Sequence, residues 1–210
     1  MLLFLILLLP VAFFTYAYIQ KDRSIILPSF AGLITGTVVC ACCFFFSYEH
    51  RLIYFSFSEN FIYYLVKQSL LPLLIVTAVY ALVSKDTAEY KIKNFFPLMC
   101  PFYAVYLPYC VITGSEVYYL PYDLFLKPFI YLAMVVQIAL CLNSVYNNIK
   151  NKKIVTAVLN SLIIILFAIY PAISDALYSI DFSFALILIL GIAYSAIPAV
   201  YYILSKLLVK

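Results

Sequence analysis

Long apolar runs separated by short polar gaps fill this chain. Seven runs, Leu2–Gln20, Ile25–Ser47, Phe61–Ser84, Phe95–Thr113, Leu124–Tyr146, Ile154–Ser174 and Phe182–Leu204, each come close to the roughly 20 residues that an α-helix needs to cross hydrocarbon. The expected fold is all-α, a polytopic membrane helix bundle of about seven transmembrane helices. Residues 1–210 then form a single integral membrane domain, and what lies between the runs suffices only for short loops.

Composition agrees. The chain is 67% hydrophobic and 10% charged, whereas a soluble domain carries about 25% charged residues. It lacks the polar side chains to cover a water-exposed globule.

The bases orient the bundle. Seven crossings place the first, third and fifth loops and the C-terminal tail on one side, with Lys21, Arg23, Lys85, Lys91, Lys93, Lys150, Lys152, Lys153, Lys206 and Lys210, ten of the 13 bases. The opposite side has only Arg51, and Lys67 and Lys127 fall inside runs. Lys and Arg accumulate in short cytoplasmic loops, so the N-terminus is expected outside and the C-terminus in the cytoplasm. A multi-pass protein of a prokaryotic inner or plasma membrane is the expected setting. The first run has no base before it and no Ala-x-Ala after it, so it reads as an uncleaved helix and not as a secretory signal.

No basic cluster exceeds three residues, and each lies at the end of an apolar run. The net charge of +4 therefore reflects topology and excludes nucleic acid as a partner. Neither a phosphate-binding Gly-rich loop nor a dinucleotide loop is present. With only four glycines, Gly-x-x-x-Gly helix packing is expected to be absent. The single histidine, His50, lies in a loop, and the six cysteines lack metal-ligand spacing. No metal and no cofactor is expected. The cysteines read as small apolar fillers, with a disulfide at Cys110 left open.

Chemistry is concentrated in a few residues that are costly in lipid. Lys67 lies six positions into the third run, about 9 Å from its outer end. Gln68 adjoins it, with Tyr63 and Tyr64 one turn outward. Charged residues inside spans usually face a cavity or the bundle interior, although a lysine stem can also snorkel to the headgroups. Lys127 is three residues into the fifth run, with Tyr131 one turn deeper and Asp123 at i−4 as its expected partner. In the fourth run Pro97, Pro101 and Pro108 share one helical face. They are expected to free the carbonyls of Pro97 and Ala104, either as a kink or as the broken helix that lines transport sites. The sixth and seventh runs carry polar stripes, Thr156, Asn160, Tyr170 and Ser174, then Gly191, Ser195, Pro198, Tyr202 and Ser205. These faces, with Gln137 and Asn143, are expected to point into the bundle. No run holds an acidic residue away from its ends, so an intramembrane acid catalyst is not expected.

Three functions follow in order. The first is a small integral membrane subunit of a transport system, binding a small or anionic substrate in its outer half and energised by a partner or a coupling ion. Its candidate substrate-binding residues are Tyr64, Lys67, Gln68, Pro101, Pro108, Lys127 and Tyr131. The second is a structural or assembly subunit of a larger membrane complex. The third is a lipid-modifying enzyme using the outer acids Glu116, Asp123, Asp175 and Asp181. The expected partners are the lipid bilayer, other membrane protein subunits and a small-molecule or anionic ligand.

Overall fold

The computed structural model describes residues 2–20, 23–46, 57–85, 87–114, 122–179, 186–194, 196–197 and 200. Among the described residues there are helices joined by short turns and no strand. In chain order these are α1 (Leu2–Gln20), α2 (Ile26–Phe46), α3 (Phe57–Tyr64), a π-turn (Leu65–Leu70), α4 (Leu71–Val83), α5 (Ala88–Lys93), α6 (Phe95–Gly114), a second π-turn (Tyr122–Leu126), α7 (Lys127–Lys150) and α8 (Ile154–Ser179). Residues 186–194 form a further helical stretch.

Four helical stretches, Ile26–Cys43, Phe57–Val83, Lys127–Lys150 and Ile154–Tyr178, are long and apolar enough to cross a membrane. Leu7–Gln20 and Phe95–Val111 are shorter apolar helices. Large apolar side chains face outward all along these helices, among them Phe30, Leu74, Val155 and Leu166. Lipid contact would accommodate such a surface where water would not. The third loop contains α5, whose exposed Lys93 bonds Glu89 at 2.9 Å. That bond holds the Glu89 carboxyl below its ordinary range and the Lys93 ammonium above its own.

The core forms around α6. Its Leu98, Met99, Phe102, Tyr103, Tyr106 and Leu107 are buried against Tyr131, Met134, Val135 and Ile138 of α7. On its other side α6 meets α2 almost backbone to backbone. A Cβ at Gly32 would lie 2.0 Å from the Leu98 carbonyl oxygen, and one at Gly36 would lie 3.2 Å from that of Phe102. The expectation that four glycines are too few for such packing is therefore corrected. Gly32 and Gly36 stand one turn apart in Gly-Leu-Ile-Thr-Gly, and spacing governs helix approach more than abundance does.

Proline explains some of the polar contacts between helices. Each interior proline leaves the carbonyl four residues earlier without its helical donor. An unsatisfied buried carbonyl costs about 1–3 kcal/mol, so a neighbouring helix must supply a donor. Pro72 cannot serve the Gln68 carbonyl, which instead accepts from the Tyr103 hydroxyl at 3.2 Å. Pro171 cannot serve Phe167, whose carbonyl accepts from the Tyr194 hydroxyl at 3.0 Å. The Tyr194 carbonyl accepts from Gln137 Nε2 at 2.8 Å. The first π-turn frees one more group, because Leu71 N–H bonds Val66 instead of Lys67. The Lys67 carbonyl then takes the Tyr106 hydroxyl at 2.7 Å.

The fourth run departs from the broken-helix expectation. The α-helix α6 continues through both Pro101 and Pro108, and the irregular backbone lies instead in the π-turns just before Pro72 and Pro128. Pro97 falls in the first turn of α6, where no helical donor is required of it.

The α7–α8 turn ends α7 in a Schellman arrangement. Lys153 N–H bonds the Asn148 carbonyl at 2.8 Å and Lys152 N–H bonds that of Ile149 at 3.0 Å. Lys152 has φ 59°, the left-handed position that glycine usually fills.

Candidate functional site

The polar centre of the bundle lies where α7, α8 and the first π-turn meet. On α8, Ala168, Ala172 and Ala176 are buried at four-residue spacing. These small side chains let the helix sit close to its neighbours. Ser69 of the π-turn donates to the Ala168 carbonyl, and its oxygen lies 3.7 Å from Met134 Sδ. Asp175, adjacent to this stripe, is carried into the interior.

Three donors converge on the Asp175 carboxylate. Lys127 Nζ lies 3.3 Å from Oδ1, with both side chains at least 95% buried. The Tyr122 hydroxyl lies 2.7 Å from Oδ1 and the Tyr131 hydroxyl 3.0 Å from Oδ2. The Tyr122 oxygen is also 2.9 Å from Ser174 Oγ, whose own proton can return the bond. Tyr131 also approaches Gln68 Oε1, at 3.2 Å. A hydroxyl has one proton, and a carboxylate is a stronger acceptor than an amide oxygen. The Tyr131 proton therefore goes to Asp175, and Gln68 is its secondary acceptor.

The donors share one origin. Tyr122 belongs to the second π-turn, and Lys127 and Tyr131 stand one turn apart on α7. A single continuous stretch thus presents an ammonium and two phenols, and α8 supplies the anion. Charges buried this deeply are tolerated only when paired and hydrogen-bonded.

A second group lies outward of this centre. Lys67 is half-buried and its ammonium donates to the Tyr63 hydroxyl at 2.6 Å, 5.0 Å from that ring's centroid. The Tyr63 ring meets Tyr64 edge-on at 5.3 Å. Lys127 Nζ in turn lies 5.7 Å from the Tyr64 centroid. The two lysines thus flank one aromatic pair, and Lys67 itself reaches back toward the start of α3.

Of the residues expected to bind substrate, Tyr64, Gln68, Lys127 and Tyr131 come together. Lys67 borders the group across the tyrosines. Pro101 and Pro108 lie within α6, on the helix that supplies Tyr103 and Tyr106 to the π-turn. The expected i−4 pair of Lys127 with Asp123 falls on a side chain outside the described residues, and the described partner, Asp175, lies on another helix, α8. The expectation that no span holds an acid away from its ends is corrected. α8 continues past Asp175 to Ser179 and buries it. The signal was available, since Asp175-Ala-Leu-Tyr-Ser contains no helix breaker. A helix can run past its first charge when that charge is paired inside, as Asp175 is.

The polar stripes are partly interior. Asn160 bonds Ser144 of α7 at 2.8 Å, Tyr170 stacks on Tyr194 at 4.0 Å, and Gln137 reaches Tyr194. Thr156 and Asn143 are exposed. Gly191 meets the Leu126 side chain, and the side chains of Ser195, Pro198, Tyr202 and Ser205 lie outside the described residues. The six cysteines are free thiols, Cys110 among them. Of the outer acids considered for lipid chemistry, Glu116 and Asp181 are outside the described residues. No group of three or more potential metal ligands gathers among the described residues.

No family model matches the chain, and neither a curated relative nor a solved structure is similar to it.

Proposed function

We propose that this chain is a seven-span integral membrane protein with its N-terminus outside, acting as the substrate-binding component of a transport system. Its setting is a prokaryotic inner or plasma membrane. The substrate is small or anionic and enters from the outer half of the bundle. The observation that carries this reading is the buried Lys127–Asp175 pair with its two tyrosine hydroxyls. Ionisable residues at membrane depth are rare, and they mark substrate and ion pathways. The two π-turns support the same reading, since such turns recur at functional sites. The chain has no nucleotide loop, so a partner subunit or a coupling ion supplies the energy.

The test is purification of the chain from its native membrane, followed by mass spectrometry of whatever small molecule or protein accompanies it. A monodisperse chain that retains a small molecule, and loses it in Lys127→Met, is the expected result. A chain that retains no small molecule and comes away only in a fixed assembly of membrane proteins would overturn it. That outcome would establish the second reading, a structural subunit, which the complete pairing of Asp175 favours.

A further inference from the structure

We infer that Lys127, Tyr122 and Tyr131 form a carboxylate receptor, with Asp175 as its resident ligand, and that the substrate is a small carboxylic acid anion bound in the place of the Asp175 carboxyl group. The inference rests on the transport reading above and names its substrate class.

The geometry separates receptor from ligand. All three donors lie between residues 122 and 131, on α7 and the turn leading into it, and they approach both oxygens of one carboxylate. The carboxylate comes from a different helix, and none of these three donors does. The receptor half therefore keeps its donors if the Asp175 carboxyl group moves away. The donor set matches a carboxylate in charge and in stereochemistry, with one ammonium and a hydroxyl on Oδ1 and a second hydroxyl on Oδ2. A single buried ammonium compensates a single anion, which limits the ligand to one carboxylate at this point. The approach is through Tyr63 and Tyr64. Tyr63 is 38% exposed and carries the Lys67 ammonium, and Tyr64 lies against Lys127. An anion drawn to Lys67 then has the Tyr63–Tyr64 aromatic pair between it and Lys127.

Size-matched chemical rescue tests this. Asp175→Ala removes only the carboxyl group and leaves a space the size of formate, and Asp175→Gly leaves room for acetate. Both variants are expressed and purified in detergent in potassium formate, potassium acetate or potassium chloride of equal ionic strength. The expected result is that formate raises the melting temperature of Asp175→Ala by roughly 3–6 °C over chloride, with acetate the better ligand for Asp175→Gly. Lys127→Met/Asp175→Ala should show no difference among the salts. If the single variants fold too poorly to melt, the readout becomes recovery, and monodisperse protein obtained in the carboxylates but not in chloride carries the same meaning. Equal behaviour in all three salts, by either readout, overturns the receptor. A native ligand without a carboxylate overturns the substrate class. Failed rescue alongside a retained native ligand would sink this inference and leave the transport reading standing, whereas rescue without any native ligand would leave the three donors a carboxylate-binding set and sink the transport reading together with the substrate class.

Discussion

Lys127 on α7 and Asp175 on α8 meet at 3.3 Å with both side chains almost wholly buried, 48 positions apart in the sequence. The pair joins two helices that are also linked by the Tyr131–Asp175 and Asn160–Ser144 hydrogen bonds. Breaking such a pair strands a charge and costs about 3–5 kcal/mol, whereas replacing both partners with apolar residues is often neutral. Lys127→Met or Asp175→Leu alone should therefore destabilise the protein by about that amount, and the double variant should recover most of it. Thermal unfolding in detergent measures this. Ligand retention should stay lost in the double variant even as stability returns, and full retention there would make the pair structural only.

The tyrosine bonds to proline-freed carbonyls predict coupling. Tyr103→Phe should cost about 1 kcal/mol, and little once Pro72→Ala restores a donor to Gln68. Tyr194→Phe and Pro171→Ala should behave alike through Phe167. A double-mutant cycle reads each coupling directly, and additive effects would show that the hydroxyl bonds contribute nothing.

Gly32 and Gly36 should differ in tolerance. Gly32→Ala sets a methyl against backbone, 2.0 Å from the Leu98 oxygen, and should cost at least 1–3 kcal/mol as α2 is pushed from α6, about the usual penalty for overpacking. Gly36→Ala, at 3.2 Å from its neighbour, should be clearly milder. Equal melting temperatures for the two would contradict the close approach.

Lys152 holds a left-handed backbone that disfavours any residue with a Cβ. Lys152→Gly should stabilise the α7–α8 turn by about 0.5–1 kcal/mol. Cysteine-accessibility mapping of the same variant tests the topological role, since the loss of one base of three should leave the orientation unchanged.

Lys67 bonds Tyr63 near the protein surface, and exposed contacts of this kind contribute about 0–1 kcal/mol. Lys67→Ala should fold normally and lose ligand retention or uptake. Unchanged retention, at normal expression, would remove the residue from any site.

The all-helical character and the approximate bounds of those runs that fall within the described residues were legible in the sequence, because the length of an apolar segment is a local property. So was the list of costly residues, Lys67, Gln68 and Lys127, because lipid makes a buried charge conspicuous wherever it falls. Proline positions also indicate which carbonyls lose a bond, always four residues back, although the ones that tyrosines answer belong to Pro72 and Pro171 and not to the prolines of the fourth run. What could not be read was who answers them. Whether Tyr103 or another donor reaches Gln68, and whether Lys127 meets Asp175 on the next helix, depends on how adjacent helices are rotated and how closely they approach. Those quantities arise from packing, here from Gly32 and Gly36 against α6 and from Ala168, Ala172 and Ala176 along α8. Pairing across helices is a property of the assembled bundle, because no local pattern records the rotation of one helix about another.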